Sequence, residues 1–229
     1  NKYVVKGEAG SPYAIKDYYD IDPDLAEDPS ARMQEFEALV TRTHEVGLKV
    51  VLDFVPNHVA RQYHSDTAPE GVDDLGAHDN KEMHFSPSNN FYYIPRQAFT
   101  PQFYIGEGED RYFEYPAKAT GNDCFGAFPG EYDWYETVKL NYGVDYTGGG
   151  RCHFDPIPDT WYKMLDILLF WCGKGADAFR CDMAHMVPVE FWNWAISKVK
   201  GNYPSVIFTA EIHDQALYRV YLEKGKFDH

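Results

Sequence analysis

Three short apolar runs, each closed by an acidic residue, are the clearest pattern in the chain. The runs end at Asp53, Asp182 and Glu211. Unbroken runs of β-branched and aromatic residues are typical of strands buried in a parallel sheet. The carboxyl ends of parallel strands meet at one edge of a sheet, where α/β folds build their active sites. The pattern therefore predicts an α/β fold with charged functional residues at that edge.

A helical pattern precedes each of these strands. Apolar positions three and four residues apart, with capping residues before them and glycine after them, define the helices. The alternation of helix and strand predicts right-handed crossovers and a parallel sheet. The predicted helices cover 30–46, 159–172 and 189–200, and the strands that follow them cover 49–55, 176–182 and 205–211.

The segment from about residue 60 to residue 155 interrupts this alternation. It is rich in glycine, proline, asparagine and aromatic residues and has no long helical periodicity. Because long structureless loops are uncommon inside compact domains, we expect a small irregular lobe over the strand ends. The predicted division is 1–58 and 156–229 for the α/β part and 59–155 for the insertion.

Composition narrows the possible partners. The 229 residues carry a formal net charge of −15, and 17% of them are aromatic. Binding to nucleic acid or to an anionic membrane surface depends on basic patches, so neither is expected as a partner. No segment is long and apolar enough to predict a membrane span. Nothing in the sequence indicates a compartment.

The acids at the second and third strand ends predict a specific chemistry. Arg180 and Asp182 alternate along one strand, so both side chains point to the same side. A guanidinium lowers the pKa of a neighbouring carboxyl and holds it ionised, as a nucleophile requires, although a buried structural ion pair is the alternative. Glu211 follows a wholly apolar strand, and partial burial would raise its pKa and suit a proton donor. An ionised Asp facing a neutral Glu, about 5 to 5.5 Å apart, is the arrangement of retaining glycoside hydrolases.

Three motifs, in order and at the expected intervals, carry a family resemblance. The chain resembles the α-amylase family, glycoside hydrolase family 13. The resemblance implies a partial (β/α)8 TIM barrel, about strands 3 to 5, with an irregular domain B inserted after strand 3. The matching motifs are Asp53-Phe54-Val55-Pro56-Asn57-His58, Gly175-Ala176-Asp177-Ala178-Phe179-Arg180-Cys181-Asp182 and Phe208-Thr209-Ala210-Glu211.

The resemblance also implies the roles of the catalytic residues. Asp182 matches the nucleophile of the family and Glu211 its general acid/base. Arg180 matches the residue that positions the nucleophile. Asp53 is expected to support Arg180 rather than to act as a catalyst.

Further residues match positions that bind the sugar. His58 corresponds to a ligand of the sugar at the cleavage site, and Tyr13 to a tyrosine that stacks on the same sugar. His185 and Met186 stand where many amylases have Lys and His; His185 could still reach the sugar beyond the cleavage point, and the choice between hydrolysis and transfer stays open. We therefore expect an α-glucan or malto-oligosaccharide as the substrate.

The chain departs from the family at a calcium position. Many members hold calcium between an amide that matches Asn57 and an Asp that precedes a Leu-Asn pair, but Lys139 precedes Leu140-Asn141 here. An ammonium repels a divalent cation and could take its place beside Asn57. We therefore expect no calcium there, no other cofactor, and a structural role for Asn57.

The leading hypothesis is a retaining hydrolase that cleaves α-1,4-glucosidic bonds. A transglycosylase of the same family, such as a maltosyl transferase or a branching enzyme, would share the early steps. A non-catalytic sugar-binding relative would lack the acids that this chain retains. The family's fourth signature, which supplies a third carboxylate, does not occur in the sequence, and both ends look cut. We therefore expect a fragment of a catalytic domain that is inactive by itself.

Overall fold

The computed structural model describes residues 2–229, which form two compact units. The lobe unit contains the chain up to Lys16, Asn57–His64 and Asp73–Thr160, and the sheet unit contains Asp17–Pro56, Ser65–Val72 and Trp161–His229. The sequence-based division differs mainly in placing the first residues with the α/β part. These residues join the lobe unit because its backbone groups bind them: the Ala60 N–H donates to the Ile15 carbonyl at 2.8 Å.

Four α-helices and nine short strands make up the regular structure of the described residues. The helices are α1 (Arg32–Glu45), α2 (Asp159–Gly173), α3 (Val189–Asn202) and α4 (Tyr218–Glu223). The strands are β1 (Val51–Phe54), β2 (His58–Ala60), β3 (Tyr93–Ile94), β4 (Ala117–Lys118), β5 (Thr137–Lys139), β6 (Val144–Asp145), β7 (Arg151–Cys152), β8 (Ala178–Cys181) and β9 (Ile207–Ala210). None of the helices in residues 2–229 has the length and apolar character needed to cross a bilayer.

The sheet unit contains a three-stranded parallel sheet in the order β1-β8-β9. This confirms the parallel sheet predicted from the alternation of helices and strands. The strands are shorter than the apolar runs that predicted them: β8 begins at Ala178 rather than at residue 176. The residue before it, Asp177, instead uses its carboxylate to accept the Val50 N–H at 2.8 Å.

Helix α1 begins later than predicted. A 3₁₀ turn, Pro29–Ala31, comes first, and the α-helix starts at Arg32. Asp28 caps this turn, since its carboxylate accepts the Ser30 N–H at 2.9 Å, and α1 itself has no side-chain cap. The stop at Gly47 is as predicted, since this residue has a φ of +77° that favours glycine.

Aromatic side chains fill the core of the sheet unit. Phe179 of β8 stacks on Phe208 of β9 with ring centroids 5.5 Å apart. Phe54 of β1 lies against Phe179 at 6.2 Å and against Trp192 of α3 at 6.3 Å. Offset and edge-to-face ring contacts of this kind add to the free energy of burial. They fix the sheet against α3 and so hold the strand ends in place.

The lobe unit is irregular, as its composition predicted. Its ladders are the antiparallel pairs β2–β5, β3–β4 and β6–β7, and the described chain between α1 and α2 contains no α-helix. A buried ion pair crosses its interior, with Arg61 Nη1 2.7 Å from Glu114 Oε1. One apolar cluster of the lobe consists of Val4, Ile94, Phe99, Ile105, Tyr112, Ala117 and Ala127.

Candidate active site

The ends of β1, β8 and β9 bring the predicted acids of the sheet unit together. Asp53 of β1 is in register with Arg180 of β8. The backbone hydrogen bonds of the sheet continue one residue beyond the ends of β8 and β9. The Asp182 N–H donates to the Phe54 carbonyl at 2.8 Å, and the Glu211 N–H donates to the Cys181 carbonyl at 3.0 Å. Backbone hydrogen bonds therefore fix the carboxyl-bearing residues at one edge of the sheet.

Arg180 is the centre of this cluster. Its Nη1 donates to both carboxylate oxygens of Asp53, at 2.9 and 2.8 Å, and to Asp182 Oδ1 at 3.2 Å. Its Nη2 lies 2.9 Å from Glu211 Oε2. Burial works against the charge of the guanidinium, but the surrounding carboxylates outweigh it and raise the pKa of Arg180 above its ordinary value. One permanent cation thus holds three acids in a fixed arrangement.

Asp182 does not have the low pKa that the sequence predicted. Its carboxyl is buried, and burial together with the nearby charge and hydrogen bond of Glu211 raises its pKa to about 6. Arg180 acts in the opposite direction and only reduces this rise. The prediction was wrong because burial of the Asp182 carboxyl raises its pKa and Glu211 adds to the rise, whereas Arg180 divides its hydrogen bonds among three acids.

Glu211 also departs from its predicted protonation. Burial raises its pKa, but the Met183 N–H, which lies 2.9 Å from Oε2, acts with Arg180 and Asp182 to bring it below the ordinary value. Asp182 and Glu211 hydrogen-bond to each other. They therefore form one titrating pair, in which Asp182 keeps its proton to a higher pH than Glu211 does.

Two contributors to the site escaped the sequence analysis. The first is the backbone N–H of Met183, a residue with a left-handed backbone conformation (φ +47°). No pattern of side chains reveals such a donor. The second is His213, whose Nε2 is 3.3 Å from Glu211 Oε1. Its position two residues after the predicted acid, on the same side of an extended chain, was a usable signal.

His185, predicted to contact sugar, lies in the 3₁₀ turn Ala184–Met186. Its ring is 5.5 Å from the ring of His213. The turn is held to the site because the Ala184 N–H donates to the Glu211 carbonyl at 3.0 Å and the Ala184 carbonyl accepts the Trp192 indole N–H at 3.0 Å. The structure thus places His185 beside the acids of the sheet unit.

Tyr13, Asn57 and His58 lie in the lobe unit and contact one another there. The Asn57 amide Nδ2 is 3.1 Å from His58 Nδ1. His58 also has a hydrogen bond to the backbone of Tyr13, whose side chain is partly exposed. Burial and the charge of Lys139 lower the pKa of His58 to about 4, so its ring is neutral at neutral pH.

Comparison with known protein families and structures places this cluster in context. A family model described as the α-amylase catalytic domain matches residues 6–120, which is half of the chain. The chain belongs to the α-amylase family. The crystal structure of an α-amylase from Lactobacillus plantarum superposes with a TM-score of 0.57 at 26% identity, covering 98% of this chain and 38% of that one. The α/β fold is therefore that of an α-amylase catalytic domain over nearly the whole length.

Curated relatives of this α-amylase family chain include glucan-active transferases. An α-1,4-glucan:maltose-1-phosphate maltosyltransferase of Pseudomonas aeruginosa is 25% identical over 213 residues, or 90% of this chain and 23% of that protein. The enzyme of the same name from Cereibacter sphaeroides is 38% identical over 89 residues, or 36% of this chain and 15% of that protein. The chain thus spans less than a quarter of either relative.

Proposed function

We propose that the protein is a retaining α-glucan-active glycoside hydrolase that cleaves α-1,4-glucosidic bonds. The observation that carries the proposal is the carboxyl pair of Asp182 and Glu211, hydrogen-bonded to each other at adjacent strand ends and both bound by Arg180. The family membership adds to this support. A structural ion-pair network would not require two acids to share one proton beside a third acid.

The spacing of the pair favours retention of configuration. An inverting enzyme places a water molecule between its two carboxyl groups and the sugar, which requires a separation of about 6.5 to 9.5 Å. Carboxyl groups that hydrogen-bond directly leave no room for that water. One of them must therefore attack the sugar itself.

In the proposed reaction Asp182 is the nucleophile. Its carboxylate oxygen forms a bond with the anomeric carbon while the bond from that carbon to the glycosidic oxygen breaks. Glu211 donates its proton to the departing oxygen. In the second step Glu211 takes a proton from water, the water oxygen bonds to the anomeric carbon, and the ester bond to Asp182 breaks.

The proton that Asp182 and Glu211 share must be on Glu211 before the first step can occur. Below about pH 6 the proton of the free protein lies on Asp182, whereas the first step needs it on Glu211. A substrate that inserts its glycosidic oxygen between the carboxyls offers Glu211 an acceptor for the proton, and leaves Asp182 with Arg180 as its partner. We propose that this transfer between the two carboxyls, rather than uptake of a proton from solvent, prepares the site.

The remaining predicted roles are also proposals. We propose that Tyr13 stacks on the sugar at the cleavage site and that neutral His58 binds its hydroxyl groups. His185 would contact the sugar on the other side of the scissile bond. In fold terms, the sheet unit would correspond to strands 3 to 5 of a (β/α)8 barrel and the lobe unit to the inserted domain B.

A trapping experiment tests the proposed function. The full-length protein is incubated with a 5-fluoro-α-glucosyl or α-maltosyl fluoride, whose ester with the enzyme forms quickly and hydrolyses slowly, and is then digested for mass spectrometry. We expect a glycosyl adduct on the peptide that contains Asp182, and an α-configured product by NMR from maltotetraose. An adduct on another residue, or a β-configured product, would refute the proposal.

Transfer to a sugar acceptor is the second candidate function. The maltosyltransferase relatives, one of which aligns with 90% of this chain, favour it. Both activities share the ester on Asp182 and differ in the acceptor. Incubation with maltose 1-phosphate and a malto-oligosaccharide, compared with the oligosaccharide alone, separates them: chain lengthening only with the phosphate indicates transfer, and shortening without it indicates hydrolysis.

A further inference from the structure

A fully buried ammonium group lies in the lobe unit, apart from the carboxyl pair. Lys139 ends β5, opposite His58 of β2, and its side chain is 1% exposed. Moving an ammonium from water into a protein interior is costly unless the charge is paired and hydrogen-bonded. The surroundings of Lys139 supply such partners. Its Nζ lies 2.7 Å from Asn57 Oδ1 and 2.5 Å from Asp123 Oδ1, and 5.2 Å from the centroid of the Tyr146 ring.

This ammonium determines how the Asn57 amide is oriented. An ammonium has three donors and no acceptor, so only the oxygen of the amide can face it. The amide nitrogen then points the other way, where it donates to the Gly121 carbonyl at 2.8 Å and lies 3.1 Å from His58 Nδ1. The oxygen and the nitrogen of the Asn57 amide therefore both have hydrogen-bond partners in this orientation.

The loop at residues 121–123 fits closely against this network. A Cβ atom on Gly121 would lie 2.9 Å from His58 Cβ and 2.6 Å from Thr137 Oγ1, which leaves no space for a side chain. Asp123, the counter-ion of Lys139, has a left-handed φ of +67°. The loop thus packs against His58 through Gly121 and pairs with Lys139 through the Asp123 carboxylate.

The residues at this position do not fit a calcium ion. Calcium takes six to eight oxygen ligands at about 2.3 to 2.6 Å. Here the Asn57 and Asp123 oxygens converge on a nitrogen that already carries a positive charge, and a second cation beside it would be repelled. Within residues 2–229, no group of three or more histidine, cysteine or acidic side chains is arranged to hold a metal.

We propose that Lys139 is a resident cation that replaces a divalent metal in the lobe unit and holds His58 in position through Asn57. It joins three separate stretches of chain: the segment Asn57–His58, strand β5, and the loop that carries Asp123. Lys139 is a positioning residue in this account, since its contacts are with Asn57 and Asp123. The tests of this proposal measure metal content, stability and the surroundings of His58, so they do not depend on the reaction proposed at Asp182.

Metal binding by the unaltered protein is the first test. The protein is dialysed against a chelator and then against 1 mM CaCl2, and its calcium content and Tm are measured in both states. A calcium site filled at a hundred times its Kd would raise the Tm by about 5 to 10 °C. We expect no bound calcium and no change in Tm. One equivalent of calcium per chain, or a rise of that size, would overturn the proposal.

Paired substitutions test the positioning role. Lys139→Met keeps most of the side-chain volume but leaves the Asp123 carboxylate and the Asn57 oxygen without the cation. We expect the Tm to fall by several degrees, because the buried Asn57 oxygen loses its donor, whereas the Asp123 carboxylate, 40% exposed, is solvated in part when the ammonium is gone. We also expect the ring resonances of His58 to shift in the NMR spectrum.

The matched control is Lys118→Met. Lys118 is another largely buried lysine of the lobe unit, with its Nζ 3.7 Å from Glu114. This variant should leave the His58 resonances unchanged. Equal His58 shifts in both variants, or none in Lys139→Met, would overturn the role of Lys139. A third variant, Lys139→Asp, supplies a carboxylate in place of the ammonium and should gain a calcium-dependent Tm that Lys118→Asp lacks. If Lys139→Met does not fold, this variant and the unaltered protein still decide the question.

Discussion

Replacing Asp182 by asparagine should abolish the proposed chemistry and stabilise the fold at neutral pH. The Asp182 side chain is buried, with 6% of the residue exposed, and it faces the charge of Glu211. Asparagine has nearly the same shape and carries no charge at any pH. Its amide can donate to Glu211 as the protonated aspartic acid does. The substitution therefore removes the repulsion and leaves the packing intact.

The size of the effect follows from the pKa of Asp182. The folded protein raises this pKa from 3.8 to about 6, so the folded state binds the proton more tightly than the unfolded state. The stabilisation from that proton is fully present below about pH 4 and is lost as the pH rises through 6. At about 1.4 kcal/mol for each pKa unit, the loss is about 3 kcal/mol at pH 7. Asp182→Asn should avoid that loss and gain about 6 to 12 °C in Tm.

The assay compares the free energy of unfolding of the two proteins by urea titration between pH 4 and pH 7.5. The comparison must be between proteins because His58, with its pKa of about 4, makes both less stable as the pH falls from 6.5 toward 4. That contribution cancels in the difference. We expect the difference to be near zero at pH 4 and to approach 3 kcal/mol at pH 7.

A difference that does not depend on pH would refute the reasoning, since it would show that Asp182 titrates normally in the folded protein. Glu211→Gln provides the matched background. Removing the Glu211 charge should lower the pKa of Asp182, so adding Asp182→Asn to Glu211→Gln should stabilise the protein less than it stabilises the parent. Equal gains in the two backgrounds would show that Glu211 is not the source of the raised pKa.

Two further substitutions, made in the full-length protein, test the catalytic roles by steady-state kinetics. Glu211→Gln should lower kcat by about 100-fold to 10,000-fold, the usual contribution of a general acid, while malto-oligosaccharide binding measured by calorimetry stays within a few-fold. A variant that keeps its kcat would exclude Glu211 as the proton donor. Arg180→Lys keeps the charge but loses the fork that binds Asp53, Asp182 and Glu211 together. We expect a large loss of kcat and an altered pH profile, and an unchanged profile would mean that the guanidinium does not set the protonation of the pair.

The parallel sheet and its helices could be predicted because their signals are local. Apolar runs and helical spacing are properties of neighbouring residues, and α2 begins at Asp159 as expected. The start of α1 was wrong because a 3₁₀ turn, Pro29–Ala31, capped by Asp28, precedes the α-helix. The pairings of the lobe join strands far apart in sequence, such as β2 and β5, and no local pattern indicates which strands will meet.

The residues of the site were easier to predict than their protonation. Alternation along a strand places Arg180 and Asp182 on one side, and their atoms lie 3.2 Å apart. The protonation depends on distances between strands and on a backbone donor, the Met183 N–H. Neither can be read from residue types, so the predicted order of the two pKa values was reversed.

The Asn57 side chain also has a consequence for the biosynthesis of the protein. Two of its hydrogen-bond partners, Gly121 and Lys139, lie 64 and 82 residues further along the chain. As the ribosome adds residues from the amino end, Asn57 and His58 leave the exit tunnel long before either partner exists. The chain must close loops of this length, at a cost in conformational entropy, before these contacts can form. His58 can therefore reach its final position only after residue 139 has been synthesised.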